Sequence, residues 1–530
     1  MSIIKHATTV GGLTLLSRIA GFIRDMFVAA ILGTGFLADA YVVAFRLPNL
    51  FRRLFAEGAF NAAFIPLFSK ELVGNGKERA QQVAESIFSF MLGVLLIFTL
   101  AIELIMPWFM VVMAPGFMKH PQTFELAIVL TRITFPYLMF ISLVALLTGI
   151  LNSLHRFTAG AFAPVLLNVC MVIAIIVLTP FTPTAAHALA IGIFVAGLVQ
   201  FAYLFWCMKK ANFSLKIRWP HITPEVSLLL KRMIPGIIGS GVGQINVTVD
   251  QLIATLIPSA VSFLYYADRL HQFPLAIIGT AVGTALLPML AQSIRLGDHQ
   301  NTQDIQNRSL ELAILLTLPA AAALFVISDW IIGGIYERGA FTHMDTINTS
   351  HALIAFAVGL PAMVMVKVLT PGFFARDDTS SPIKIACICI VLNIVFNLML
   401  TPFLKHVGIA LATSISAWCN AGMLAWKLHK RNFLVFDQQL KTRTLRIIFS
   451  TGLMVASLIL TNMALFHLRL HMTIPKEVGL VTLCGIGGIT FLVSVILFKG
   501  VVLSEFKTAF SRKSIQASTG QAQSDNTQMV

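Results

Sequence analysis

Fourteen apolar stretches recur along the 530 residues, centred near positions 20, 48, 97, 138, 172, 197, 245, 275, 320, 360, 392, 416, 456 and 490. Each is close to the roughly 20 residues that a helix needs to cross bilayer hydrocarbon. Backbone donors and acceptors cannot stay unpaired in lipid, so stretches of this length must fold as helices. The expected fold class is therefore an all-α integral membrane protein with about 14 transmembrane helices. Composition agrees, at 57% hydrophobic and only 12% charged residues, where soluble domains carry about 25% charge. The two earliest stretches are the least apolar. A cleaved signal peptide over residues 1–30 is the rival there, but Lys5 stands alone in the n-region, and Arg18, Arg24 and Asp25 interrupt the apolar run. The segment is expected to remain in the mature protein.

Lys and Arg outnumber Asp and Glu, 38 to 23, for a formal charge of +15. In a soluble chain that excess would suggest nucleic acid; between membrane spans it is first a topological signal. An even span count puts both termini on one side. The loops on that side, from Lys5 through Lys77, Arg79, Lys216, Arg218, Lys441 and Arg443 to Lys513, hold 24 basic residues, against 5 on the other (Lys119, Arg338, Lys405, Arg469, Lys476). The bias predicts cytoplasmic termini and no nucleic-acid partner. Cys170, Cys207, Cys387, Cys389, Cys419 and Cys484 lie inside apolar runs without paired loop spacing. They read as small core residues, with no disulfide framework and no metal site expected. Residues 503–530 are polar and low in aromatics, and are expected to form a disordered cytoplasmic tail.

A repeat runs through the chain. Pro136 and Pro361, Asn168 and Asn393, and Gly197 and Gly422 are each 225 positions apart, and Pro66 and Pro288 are 222 apart. Three matches in one register divide the chain into two six-helix lobes, 1–210 and 222–432, related by pseudo-two-fold symmetry, plus two C-terminal helices in 441–502. Six spans per half make the copies parallel, and transporters of this build bind substrate near the midplane between halves. The added pair carries no intramembrane charge. Gly485, Gly487 and Gly488 there leave a furrow between helices, expected to hold a lipid tail.

Charges inside the spans say what the polar cleft would bind. The segment "AFRLPNLFRRLFAEGAFNAAFIP" sets Arg46, Arg52 and Arg53 among apolar residues, and each would cost about 2.5–3.5 kcal/mol if it faced lipid. They are expected to face protein or water. Arg46 and Arg53 share a helical stripe with Glu57 one turn beyond, and Arg18 and Asp25 are spaced to offset one another. Arg24 lies on a neighbouring stripe with Ser17 and Gly21; Asp268, Arg269 and Lys367 interrupt apolar spans of the second half. Asp39 and Asp250 are the acids least accounted for. Excess guanidinium calls for an anion with several oxygens, because its planar fork matches phosphate and keeps its charge when desolvated. The residues by themselves imply a two-lobed transporter for a phosphorylated or otherwise anionic substrate.

The opening "SRIAGFIRDMFVAAILGTGFLADAYVVAFRLPNLFRRLFAEGAFNAAFIPLF" closely resembles the MurJ/MviN family, the bacterial lipid II flippases of the multidrug/oligosaccharidyl-lipid/polysaccharide exporter superfamily. "LYYADRL" at 264–270 and the helix layout fit the same family, so the resemblance covers about residues 1–505. It implies a V-shaped fold with a central cationic cavity in the bacterial cytoplasmic (inner) membrane. The substrate it implies is undecaprenyl-pyrophosphate bearing the disaccharide-pentapeptide of peptidoglycan, flipped from inner to outer leaflet for cell wall synthesis, with cell wall synthesis proteins as partners. Carried over by position, the functional arginines fall on Arg18, Arg24, Arg52 and Arg269, with Asp39 as an accompanying acid. Asp25, Arg53 and Lys367 complete the candidate substrate-binding set. Gln272 departs from the acidic residue expected after "ADRL".

Rival classes read differently. A membrane-embedded glycosyltransferase or polymerase would need a carboxylate base in a sizeable outer loop, and the outer loops are short, with Glu337 and Asp345 their main acids. A scaffold has no need of a repeated charged cleft. A cation-coupled drug exporter, or an exporter of another polyprenyl-pyrophosphate-linked glycan, shares the superfamily; the drug exporter would carry a cleft of the opposite sign. No GxxxxGK[ST] signature occurs, so no nucleotide cofactor is expected, and the membrane potential or a coupling ion is left to drive transport.

Overall fold

A computed structural model describes residues 3–53, 60–469 and 475–501. Among these residues there is no strand. The helices in chain order are α1 (Ile3–Leu32), α2 (Phe36–Phe51), α3 (Asn61–Gly74), α4 (Gly76–Leu104), α5 (Met106–Met113), α6 (Pro121–Thr134), α7 (Tyr137–Ser153), α8 (Phe157–Val177) and α9 (Ala185–Lys210). They continue with α10 (Pro224–Ala254), α11 (Ala260–Arg295), α12 (His299–Val326), α13 (Ser328–Tyr336), α14 (His343–Phe374), α15 (Ser380–Lys430), α16 (Gln438–Arg469) and α17 (Lys476–Leu497). All fourteen expected centres fall inside these helices. The expected tail, 503–530, and Glu57 lie outside the described residues.

Among the described residues, nine segments are long and apolar enough to cross a membrane. One of them, α15, breaks at Lys405 (φ 49°, ψ −131°), three residues after Pro402, and so serves the two centres at 392 and 416. Helices α1, α10 and α11 are also long, at 30, 31 and 36 residues, and they carry Arg18, Arg24, Asp25, Asp250, Asp268 and Arg269. The chain's chemistry therefore sits on its less apolar spans. Pro136 stands between α6 and α7, whereas its repeat partner Pro361 lies inside the continuous α14.

Packing divides the chain into two units. The first comprises Met1–Leu270, Ile335–Phe356 and Ser380–Ser416; the second comprises His271–Gly334, Ala357–Thr379 and Ala417–Val530. Helix α10, which opens the second sequence half, packs on α3 and α4 of the first. Within the first unit, Phe51, Phe98, Phe109 and Phe135 form an aromatic cluster, and Phe60, Phe64 and Phe68 stack in a row that ends edge-on at Phe213.

Two glycines set the turn between α1 and α2 against the turn before α14. Gly33 (φ +60°) and Gly339 (φ +59°) lie in the left-handed region, and a Cβ on either would run into a backbone carbonyl, of Ala340 and Ala30 respectively. That closeness lets the Ala340 N–H donate to the Ala30 carbonyl at 2.7 Å. The Tyr266 hydroxyl donates to the Gly33 carbonyl (3.0 Å), and the Thr34 hydroxyl to Asp345 (2.5 Å).

In the second unit α16 and α17 pack on α12 and α13 through Ile327, Met454, Leu458, Leu465 and Leu483. The Trp330 indole donates to Asn462 (2.6 Å). Arg308 bridges Glu311 and Asp437, while Arg443 holds the other Glu311 oxygen at 2.5 Å. Of the three glycines expected to line a furrow, Gly487 packs on Leu458 of α16, whereas Gly485 and Gly488 face open space. One glycine serves helix contact, and two leave the exposed face of α17 low.

Candidate anion-binding site

The site is built around one carboxylate. Asp25 of α1 is buried and accepts from Arg24 beside it (Nη2 2.8 Å, Nε 3.1 Å) and from the Tyr265 hydroxyl of α11 (3.0 Å). Arg269, one turn after Tyr265, brings its Nε to 3.5 Å from the second Asp25 oxygen and lays its guanidinium 4.8 Å over the Tyr265 ring. Arg24 is held on its far side by Asn168 of α8, whose Oδ1 accepts at 2.8 Å, and it also lies over Phe45. The Asn168 amide nitrogen donates to the carbonyls of Ser17 and Pro164 (3.0 and 3.1 Å). Helices α1, α8 and α11 thus converge on two guanidinium groups and one carboxylate, which leaves one positive charge in excess. The Arg24 side chain is 6% exposed and that of Arg269 33%. Arg24 is therefore a buried strut, and Arg269 is the cation that can meet a ligand.

The other expected residues fall into distinct places. Arg18 is exposed and, among the described residues, neither hydrogen-bonded nor ion-paired, so the expected offset between Arg18 and Asp25 is replaced by the Arg24 and Arg269 pairs. The i, i+7 spacing puts Arg18 and Asp25 on one stripe, but about 10 Å apart along the helix axis, while Arg24 adjoins Asp25. Arg46 lies 5.9 Å over the Tyr265 ring, within electrostatic reach of Asp268. Arg52 donates to Asn49 (3.1 Å), and Arg53 is exposed. Asp39 is buried, and its Oδ1 accepts the Ser262 N–H in the first turn of α11 at 2.8 Å. A carboxylate suits that position, where helix N–H groups lack partners, so Asp39 ties α2 to α11 as a cap. Lys367 and Gln272 belong to the second unit, where the Lys367 side chain lies close against the backbone of Gly279.

A second polar cluster was only half visible in the sequence. Asp250 of α10 accepts from the Asn397 amide (2.6 Å) and the Thr413 hydroxyl (3.0 Å), and Asn397 also donates to Asn393 (2.9 Å). Asn393 is the repeat partner of Asn168, and Asp250 follows Arg24 by 226 positions. Each half thus uses its repeated asparagine beside a charge on its first helix, with opposite signs. The asparagine repeat was the available signal, but repetition alone does not say what the amide holds.

The family model described as "Lipid II flippase MurJ" matches residues 28–476. The chain belongs to the MurJ family. Similar proteins include a "Probable lipid II flippase MurJ" of Rhizobium tropici, 45% identical over 461 residues and 86% of each chain. The protein of that name from Rhizobium meliloti (strain 1021) is 43% identical over 491 residues, 92% of this chain and 91% of its own. Among solved structures, "Lipid II flippase MurJ, inward closed conformation" is similar with a TM-score of 0.78 at 25% identity, over 92% of this chain and 98% of that one. A multidrug resistance MATE family transporter of the MOP superfamily in an inward-facing conformation shares the fold, with a TM-score of 0.66 at 14% identity over 81% of this chain and 98% of its own. As a MurJ family member the chain is a multi-pass membrane transporter rather than an enzyme.

Proposed function

We propose that this MurJ family member moves lipid II from the inner to the outer leaflet of the cytoplasmic membrane by alternating access, with its pyrophosphate meeting Arg269 and the exposed Arg18 and Arg53. The observation that supports this most is the Asp25 cluster. It gathers charge from α1 of the first sequence half and α11 of the second into one unit, is net positive, and leaves Arg269 partly open. A cation-coupled drug exporter would be served by an open carboxylate instead, and Asp25 is occupied on both oxygens. The proteins that use lipid II on the outer face are the partners this reading expects.

The driving force follows from the charge on the cargo. Moving one negative charge outward across an inside-negative membrane gains about 2.3 kcal/mol per 100 mV. Asp250 offers a second source. Its carboxylate and the Thr413 hydroxyl are hard oxygen donors of the kind that hold a small cation, and among the described residues Asn397, whose amide nitrogen donates to Asp250, keeps its Oδ1 buried without a hydrogen-bond partner. Purified protein in vesicles loaded with lipid II tests the whole reading. Outward flux should require the protein, fall when the potential is collapsed, and lose its response to a cation gradient in Asp250→Asn. Flux equal to that of empty vesicles refutes the function; flux indifferent to the potential leaves the cation as the driver.

The basic loops support cytoplasmic termini, with Lys77 in an inner loop and Lys119 in an outer one. Both are exposed. A cysteine at position 119 should react with a membrane-impermeant thiol reagent in intact cells, and one at position 77 only after lysis. The reverse pattern would invert both the orientation and the direction of flipping.

A further inference from the structure

Residues 211–223, between α9 and α10, contain no helix beyond the turn at their start and are bound along α4. The Gln81 amide donates to Ser214 (3.2 Å). Glu85, buried in α4, accepts the Lys216 N–H (3.3 Å) and the Arg218 Nε (2.7 Å). Ser89 accepts the Arg218 N–H (2.8 Å), and Pro220 lies against Gly93, where a Cβ would come within 3.3 Å of its ring. The α4 partners are four residues apart, about 6 Å per step. The linker partners are two apart, about 6.6 Å when extended. The matched steps show an extended segment climbing parallel to the α4 axis, with each stage pinned by a polar side chain or a glycine.

The climb runs alongside the apolar part of α4. From Ile87 onward α4 is an apolar span, and Gly93 lies about 9 Å beyond Ile87. The chain then returns, since Glu225 in the first turn of α10 pairs with Arg79 near the start of α4 at 2.5 Å. At the outermost part of this excursion Ile217, Trp219 and Ile222 are 73%, 86% and 69% exposed. Lys216 and Arg218 alternate with them, and Lys209 and Lys210 stand over Phe205 and Trp206 at the end of α9. Water would leave three large apolar side chains unburied. A leaflet surface accepts apolar and basic groups together, with Trp at the boundary.

We propose that residues 214–222 form a re-entrant wedge in the cytoplasmic leaflet that binds anionic phospholipid headgroups, with Lys216 and Arg218 at the phosphates and Ile217, Trp219 and Ile222 at the acyl boundary. The attraction of basic groups to anionic lipid supplies the selectivity. The Glu85 carboxylate sets the position of the wedge rather than its charge preference. None of this depends on which molecule the protein transports.

The test uses the full-length protein with a photocrosslinking residue at Trp219, in nanodiscs of equal parts phosphatidylcholine and phosphatidylglycerol. Phosphatidylglycerol should be captured several-fold over phosphatidylcholine. The preference should fall toward parity in Lys216→Gln, and further when Arg218→Gln is combined with Glu85→Gln so that no buried carboxylate is stranded. Absence of lipid capture in the otherwise native chain places the segment outside the membrane and overturns the wedge. Equal capture of the two lipids in that same chain overturns the headgroup site, as does capture in cells of a cytosolic protein in place of lipid.

Discussion

Arg269→Ala should abolish lipid II translocation and leave the protein folded, whereas Arg24→Ala should lose the fold's stability together with transport. Both arginines touch Asp25, but they are held differently. Arg24 is buried, shares two hydrogen bonds with Asp25 and is the donor to Asn168 Oδ1. Its removal takes two of the three hydrogen bonds from the buried Asp25 carboxylate and the donor from Asn168 Oδ1, and breaking one side of such a buried pair costs about 3–5 kcal/mol. Arg269 contributes a longer contact and a stack on Tyr265, and the Tyr265 hydroxyl and Arg24 still satisfy Asp25 without it. Arg269→Lys should recover only part of the flux, since a point charge replaces the fork that matches pyrophosphate. Expression level, Tm in detergent and vesicle flux, measured on the same preparations, separate the two behaviours. Native flux in Arg269→Ala at normal expression would remove Arg269 from the transport pathway, and an unchanged Tm in Arg24→Ala would remove the strut.

Gly33→Val and Gly339→Val should each abolish transport by preventing the turn between α1 and α2 from docking on the turn before α14. A β-branched side chain at positive φ costs about 1–3 kcal/mol before any contact is considered. Here the added Cβ also meets a backbone carbonyl, which cannot rotate away as a side chain would. The hydrogen bonds from Ala340 to Ala30, from Tyr266 to Gly33 and from Thr34 to Asp345 depend on that approach, so all three are lost together. Gly76→Val is the control. Gly76 has φ +82° with open space around it, so the variant carries the backbone strain without the collision and should keep most of the flux. Vesicle flux and Tm would be read for all three. Transport at the native rate in Gly339→Val would show that the two turns need not meet during the cycle.

The linker carries the same lesson about charge. Lys216 and Arg218 enter a topology count as two of many basic residues, and their number alone is enough to orient the chain. That they alternate with three exposed apolar side chains along α4 follows from Glu85 and Ser89, whose spacing means nothing until the linker is seen beside them.

The sequence alone determined that the apolar runs are helices, because that follows from the solvent. A backbone in hydrocarbon must pair within its own segment, so apolar runs of spanning length become helices wherever their neighbours lie. Arginines inside such runs must find water or partners, so their presence pointed to an anionic substrate, and the family resemblance of the first two spans pointed to lipid II. Which arginine is buried against Asp25 and which stays partly open was decided only by the tertiary structure. Helical spacing put Arg18 and Asp25 on one stripe, yet Asp25 is buried where α8 and α11 cross α1, and its partners are the groups those helices bring, Tyr265 and Arg269, together with its neighbour Arg24. Asn168 and Asn393 were legible as a repeat, but the charges they sit beside, Arg24 and Asp250, belong to other helices. Periodicity along one helix reports which way a side chain points; what it meets there is set by the packing of helices distant in the chain.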